Sequence, residues 1–306
     1  MLSFIVRRLL WAIPVLWIVA TLTFLMMHLV PGGPFDREKK LPPAIKANIE
    51  AKYHLDKPIV TQYELYLKGL LRGDLGPSYK YLGRTVNDII SDTLPVSIQL
   101  GALALLIALI LGLTAGLASG AFAQTPWDKF SMFVATAGIS IPNFVLGAFL
   151  ILIFSHQLKI FPPALWEDAR SVVLPAFALG LAPAAYIARL TRSSILEEKY
   201  KDYVRTARAK GLPEINILFK HILRNAIAPV ITVLGPLTAT LVTGSFVIEF
   251  IFSVPGMGKF FITAVTNRDY PLIMGVTLVY ALLIVVCNLV VDVFYTLIDP
   301  RITLES

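Results

Sequence analysis

Six stretches of this 306-residue chain contain no Asp, Glu, Lys or Arg: 9–35, 93–127, 130–158, 171–188, 225–248 and 270–291. The shortest, 171–188, has 18 residues, close to the roughly 20 needed to cross a hydrocarbon core about 30 Å thick. Inside that core the backbone meets no water, so a crossing segment must satisfy its own amides and carbonyls as an α-helix. The pattern predicts an all-α polytopic membrane protein with six transmembrane helices. Six buried helices of a soluble protein would show polar faces, and a chain that is 56% hydrophobic and 15% charged has too few charges to supply them.

The first run follows Arg7-Arg8, as in a secretory signal. Leu9–Val30 is longer than a signal's apolar region, and no small-x-small site precedes Pro31, so this helix is expected to be retained. The single cysteine, Cys287, lies in the sixth run, which leaves no disulfide or cysteine cluster within one chain. The four histidines form no HExxH pair, and no GxSxG elbow occurs. Gly256-Met-Gly-Lys259 resembles the end of a phosphate loop, but Phe260 stands where Ser or Thr is required and Ser253 where Gly is. The expectation is a chain with no catalytic residue, no metal site and no ATP site of its own, which is not an enzyme.

Nine of the 27 Lys and Arg residues fall between Arg189 and Arg224. Basic residues in short loops mark the cytoplasmic side, so the loop between the fourth and fifth helices, 192–225, is placed inside. An even number of crossings then puts Arg7-Arg8 and the Arg301 tail inside too. Residues 31–96 fall outside despite ten basic against eight acidic residues up to Pro95, because a loop of that length largely escapes the charge rule. The chain thus divides into 1–30, with the first helix; 31–96, an external region; and 97–306, a core of helices two to six. In the external region Ile59, Tyr63, Tyr66, Leu67 and Leu70 fall at helical spacing, as do Val86, Ile89, Ile90 and Thr93. With the turn signal Gly73-Asp-Leu-Gly-Pro-Ser78 between them, they predict a platform of amphipathic helices, the second feeding helix two through Pro95.

Helix two carries Ala104, Ala108, Gly112, Gly116 and Gly120, a small residue at every fourth position and so a ridge for close helix packing. Pro14, Pro142, Pro175, Pro183, Pro229 and Pro236 mark sites of possible kinks. Glu249 and Asp292 are the ionisable groups within or beside the runs, and structural pairing is the favoured reading of each.

Ser194-Ile-Leu-Glu197 fits a capping box, which predicts a helix restarting there and running to Lys210. Gly211 suits the left-handed position past a helix end, and Pro213 with Glu214 suits the next first turn. Ile215, Leu218, Phe219 and Ile222 are expected to form one apolar face. Thr206, Ala207, Ala209 and Gly211 are expected to present a small-residue surface on a projecting knob, where a helix lying on lipid would gain from bulky side chains.

Arg205-Thr-Ala207, Gly211 four residues on, and His221-Ile-Leu223 after nine more resemble the cytoplasmic loop of permease subunits in binding-protein-dependent ABC importers. The family pattern is Glu-Ala-Ala, three residues, Gly, nine residues, Ile-x-Leu-Pro. This chain keeps Ala207, Gly211 and Leu223, and has Arg205, Thr206, His221 and Arg224 at the variant positions. Tyr203-Val-Arg-Thr-Ala-Arg-Ala-Lys-Gly-Leu212 is similar to the peptide and nickel branch. So are Leu94-Pro-Val-Ser97, Ser140-Ile-Pro-Asn143, Gly244-Ser-Phe-Val-Ile-Glu249, Val254-Pro-Gly-Met-Gly258, Asn267-Arg-Asp-Tyr-Pro271 and Ile298-Asp-Pro-Arg301. Together they resemble the B-type permease of an oligopeptide or dipeptide importer.

The resemblance implies a type I ABC importer permease fold in the bacterial cytoplasmic (inner) membrane and alternating access. Its implied partners are a second related permease, two cytoplasmic ATPase subunits that hold the ATP and Mg, and an external substrate-binding protein that delivers the peptide. It implies that Arg205, Thr206, Ala207, Arg208, Ala209, Lys210 and Gly211 couple the chain to the ATPase. Asn143, Ser245, Glu249, Pro255, Gly256, Met257 and Gly258 are the candidates for the translocation path and its outer gate. Asn143 is also read as a group that satisfies a carbonyl freed by Pro142. Nickel or another small solute remains an alternative cargo, and a channel or secondary transporter an alternative class.

Overall fold

The computed structural model describes residues 2–31, 33–35, 50–243 and 246–298. Its elements are α1 (Leu2–Leu29), α2 (Ile59–Leu71), α3 (Val86–Ala121), α4 (Pro126–Ser140) and α5 (Asn143–Leu150, continued by a π-helical segment Ile151–Gln157). There follow α6 (Val173–Glu198), α7 (Asp202–Ala209) and α8, which runs through Glu214–Asn216, a π-helical Ile217–Ile222 and Leu223–Ala226. The chain continues through α9 (Ala228–Val242), α10 (Phe246–Ile251), α11 (Met257–Asn267) and α12 (Tyr270–Ile298).

Ile5–Leu29, Val86–Ala121, Val173–Glu198, Ala228–Ile251 and Tyr270–Val290 are each long and apolar enough to cross a membrane. The run expected as a single third helix is instead two arms, Pro126–Ser140 and Asn143–Gln157, bent by 105°. Counted as one broken span, they bring the total to six. The cause is local: a residue before proline is driven out of the helical region, and Ile141 lies at φ −86°, ψ 123°. Pro14, Pro95, Pro183 and Pro236, by contrast, stand inside continuous helices.

Two compact units are formed, residues 1–96 with 256–285, and residues 97–255 with 286–306. In the first, Val86, Ile89, Ile90 and Thr93 are buried on the first turns of α3, which runs on unbroken through Pro95. Tyr63, Tyr66, Leu67 and Leu70 of α2 are half-buried, whereas Ile59 is exposed. Two distant motifs meet here. The fully buried carboxylate of Asp269 accepts from the Ser78 hydroxyl, from Tyr79 N at 3.1 Å and from Lys80 N at 3.4 Å. A buried charge is tolerated only when its lone pairs are filled in this way.

In the second unit the small-residue ridge of α3 lies against α6. A Cβ on Gly112 would stand 2.7 Å from the Ala184 carbonyl oxygen, one on Gly116 2.5 Å from that of Ala188, and one on Gly120 2.8 Å from Ile195 Cγ2. Gly180 of α6 returns the relation, with a Cβ there 2.5 Å from the Ala104 carbonyl oxygen. Such contact between backbones is what small residues permit and larger ones forbid. One end of this seam is fastened by an ion pair. Arg192 Nε and Nη2 donate to Asp128 Oδ1 and Oδ2 at 2.6 and 2.8 Å, and Ser119 Oγ and Gln124 N donate to the same carboxylate.

Candidate functional site

The knob between the fourth and fifth spans forms because α6 does not stop where its capping box predicts. Ser194 is buried in the interior of α6, which continues to Glu198; its hydroxyl competes poorly with a helix already packed against α3. The break falls at 199–201, where Lys201 turns extended (ψ 151°) before α7 begins. After α7, Gly211 takes φ +73°, the left-handed geometry that glycine adopts without a Cβ penalty. Pro213, at ψ 141°, then precedes α8.

Val204 and Ala207 of α7 pack on Ile195, Ile217, Ile222 and Ala226. This corrects two expectations. Ala207 anchors the knob from inside, so the exposed small-residue surface is Thr206, Ala209 and Gly211, flanked by Arg205, Arg208 and Lys210. The inner face of α8 is Ile217 and Ile222, while Ile215 and Phe219 are exposed. The π-helical geometry accounts for the second correction, because residues five apart fall on one side there.

Arg208 Nε and Nη2 donate to Glu214 Oε1 and Oε2 at 2.7 and 3.3 Å, closing a two-pronged clasp across the Gly211 turn. That guanidinium holds the Glu214 carboxyl below the usual carboxylate range. Below the turn, Tyr203 Oη donates to Glu198 Oε2 at 2.5 Å and accepts from Asn225 Nδ2 at 3.1 Å. Lys201 Nζ reaches the other Glu198 oxygen at 2.5 Å, and its ammonium pKa is raised by that partner. One phenol thus ties together the end of α6, the knob and α8. Composition hides this role, since Tyr203 reads only as part of a basic segment.

The path candidates are arranged differently. Asn143 begins α5 and is half-buried. Farther along α5, Gly147 abuts α10, where a Cβ would lie 3.1 Å from Phe252 Cε2 and 3.5 Å from Ile248 Cδ1. Glu249 on α10 is fully buried and accepts from Ser97 Oγ at 2.9 Å, the structural pairing expected of it. Ser245 and the side chain of Asp292 lie outside the described residues. Of the gate segment, Pro255 is exposed, while Gly256, Met257 and Gly258 are buried. The segment is preceded by a turn in which Val254 N donates to the Glu249 carbonyl at 2.9 Å.

The Asp128–Arg192 pair and the Tyr203 network are the polar features that sequence reasoning missed. Thr125-Pro-Trp-Asp128 is a legible capping pattern, and Thr125 does accept from Asp128 N. Nothing in that pattern names a partner 64 residues away.

Comparisons with known proteins converge on one family. Residues 104–304 match the model described as binding-protein-dependent transport system inner membrane component, and residues 1–101 match that of its N-terminal region. The chain is 46% identical over 307 residues to the dipeptide transport system permease protein DppB of Bacillus subtilis, covering 100% of this chain and 99% of the relative. It is 46% identical over 304 residues to the oligopeptide transport system permease protein OppB of Salmonella typhimurium, covering 99% of each. Among solved structures, an inward-facing form of the MetNI methionine ABC transporter aligns with a TM-score of 0.58 at 15% identity, over 69% of this chain and 96% of that one. An amino acid ABC transporter with histidines aligns at 0.54 and 18% identity, over 68% and 94%. At those identities the likeness speaks for the fold alone.

Proposed function

The chain belongs to the family of binding-protein-dependent transport system inner membrane components, and we propose that it is one permease half of an ATP-driven importer of peptides. The observation that carries this is the 46% identity to peptide permeases along essentially the whole chain. A second, related permease would complete the pathway, two cytoplasmic ATPase subunits would hold ATP and Mg, and an external binding protein would deliver the cargo. The knob faces the cytoplasm, as do both termini, and the platform of α2 and the start of α3 faces out.

In this mechanism the exposed residues Arg205, Thr206, Arg208, Ala209, Lys210 and Gly211 seat in a groove of the ATPase, with Ala207 holding the knob to α8 from below. When ATP closes the ATPase pair, the displaced knob carries the ends of α6 and α8 with it through Tyr203 and the apolar cluster. Asn143, Ser245, Glu249 and the Pro255–Gly258 turn belong to the path and its outer gate, Glu249 as a buried strut rather than a cargo ligand.

The test is uptake into proteoliposomes holding the full complex with its binding protein, using di- to pentapeptides and Ni²⁺ as the control. ATP-dependent peptide accumulation without nickel uptake is expected. Nickel uptake in place of peptide, or flux that ignores ATP, overturns the reading.

A further inference from the structure

The C-terminal end of α1, helix α2, the turn at 75–79 and the start of α12 enclose a cavity of ≈ 250 Å³ in the first unit. No residue assigned above to the knob or the path lines it. Phe24, Tyr270 and Met274 form its buried floor, and Tyr53, Tyr66 and Tyr79 its half-buried walls. The rings form connected pairs: Tyr53–Tyr79 centroids are 4.6 Å apart, Tyr79–Tyr270 6.5 Å, and Phe24 stacks on Tyr66 at 5.7 Å. A void of about 150 Å³ is enough for benzene, and sites for whole drug-sized ligands begin near about 300 Å³. This one therefore suits a single ring-bearing side chain.

Two features argue against a mere packing defect. The Tyr66 hydroxyl is buried with no hydrogen-bond partner among the described residues. Burial, with Tyr63 nearby, pushes its phenol up to about 12, so it stays a neutral hydroxyl that a ligand atom would satisfy. The walls are also held in place. Asp269 fixes the backbone of Tyr79 next to Tyr270, and Gln62 Nε2 donates to the Lys57 and Leu55 carbonyls at 2.8 and 3.3 Å, fixing the segment that carries Tyr53. Such support is what a preorganised site requires. At the rim stands the exposed Lys52, its ammonium 5.7 Å from the Tyr53 ring centroid.

We propose that this cavity receives one C-terminal aromatic residue of a peptide, its ring among Tyr53, Tyr66, Tyr79 and Tyr270 and its carboxylate at Lys52. The proposal rests on the peptide reading above. Five aromatic rings favour another ring over an aliphatic side chain through offset and edge contacts.

The experiment measures equilibrium binding of radiolabelled Ala-Phe, Ala-Tyr, Ala-Ala and Ala-Phe-amide to the full complex in nanodiscs, with the external binding protein left out. Ala-Phe should bind about tenfold more tightly than Ala-Ala, from the buried ring, and about threefold more tightly than its amide. Ala-Tyr, whose ring oxygen accepts from the Tyr66 hydroxyl, should bind about fivefold more tightly than Ala-Phe, and Tyr66→Phe should remove that advantage. Leu65→Trp, which fills the cavity from its wall, should abolish the preference for Ala-Phe, with assembly checked by co-purifying ATPase. Equal affinity for Ala-Phe and Ala-Ala, or a preference that survives Leu65→Trp, overturns the proposal. So does a Leu65→Trp variant that loses affinity for the binding protein alone, because the cavity would then hold a side chain of that partner. Uptake of Ala-Ala by the unmodified complex is measured in parallel. Its absence would count against the peptide reading itself, whereas its presence with no aromatic preference counts against the cavity alone.

Discussion

Gly211 combines φ +73° with open space: apart from its own two chain neighbours, no residue comes within 4 Å of where a Cβ would stand. A side chain there is penalised by conformation rather than by collision, at roughly 1–2 kcal/mol for an L-residue in the left-handed region. Asn tolerates that region better than Leu. Gly211→Leu should therefore cut ATP-driven uptake several-fold while membrane insertion stays at the level of the parent, and Gly211→Asn should keep most of the activity. Uptake per inserted complex is the measurement; full transport by the Leu variant would show that force does not enter at this turn. The residue is legible in sequence because Lys-Gly-Leu-Pro admits few backbone solutions. Ala207 was misread for the opposite reason, since a small side chain fits a docking surface and a tight inner seam equally well, and only the cluster around Ile217 and Ile222 decides between them.

Among the elements, α3 and α6 show what periodicity reveals. Small residues four apart report the helical repeat and a close neighbour at once, and the structure supplies that neighbour in Gly180, Ala184, Ala188 and Ile195. Pro142 announced a disturbance but not its size, because the extended geometry it imposes on Ile141 sets no direction for the next arm. The π-helical Ile217–Ile222 was invisible to a 3.6-residue template. Two glycines on packed helices then separate steric from merely local effects. A Cβ at Gly116 would meet the Ala188 carbonyl oxygen at 2.5 Å, whereas the nearest atom to one at Gly138 is Ala185 Cβ at 3.7 Å. Gly116→Ala should destabilise the purified protein by about 1–3 kcal/mol, the range for overpacking a close seam. Gly138→Ala should be neutral or slightly stabilising, since alanine gains up to about 1 kcal/mol over glycine within a helix. Thermal unfolding of the two variants in one detergent checks the ranking, and equal midpoints would mean that α3 and α6 separate at that point.

At the scale of the whole molecule, sidedness depends on whether the bent pair crosses the membrane. Arg72 precedes α3, and Asp202 follows α6 with its side chain 97% exposed. Between them lie α3, the pair Pro126–Ser140 with Asn143–Gln157, and α6. If the pair is a broken span, three crossings separate the two residues and they face opposite sides. If it is re-entrant, there are two crossings and they share a side. The nine basic residues between Arg189 and Arg224 favour a cytoplasmic Asp202. Cys287 is the single native cysteine, so a Cys287→Ser background gives a clean reporter for single Arg72→Cys and Asp202→Cys variants. With a membrane-impermeant maleimide, Arg72→Cys should label on intact cells and Asp202→Cys only after the membrane is opened. Labelling of both on intact cells would make the pair re-entrant, with a loop outside that charge alone would have kept in, and the knob would then have no ATPase to meet.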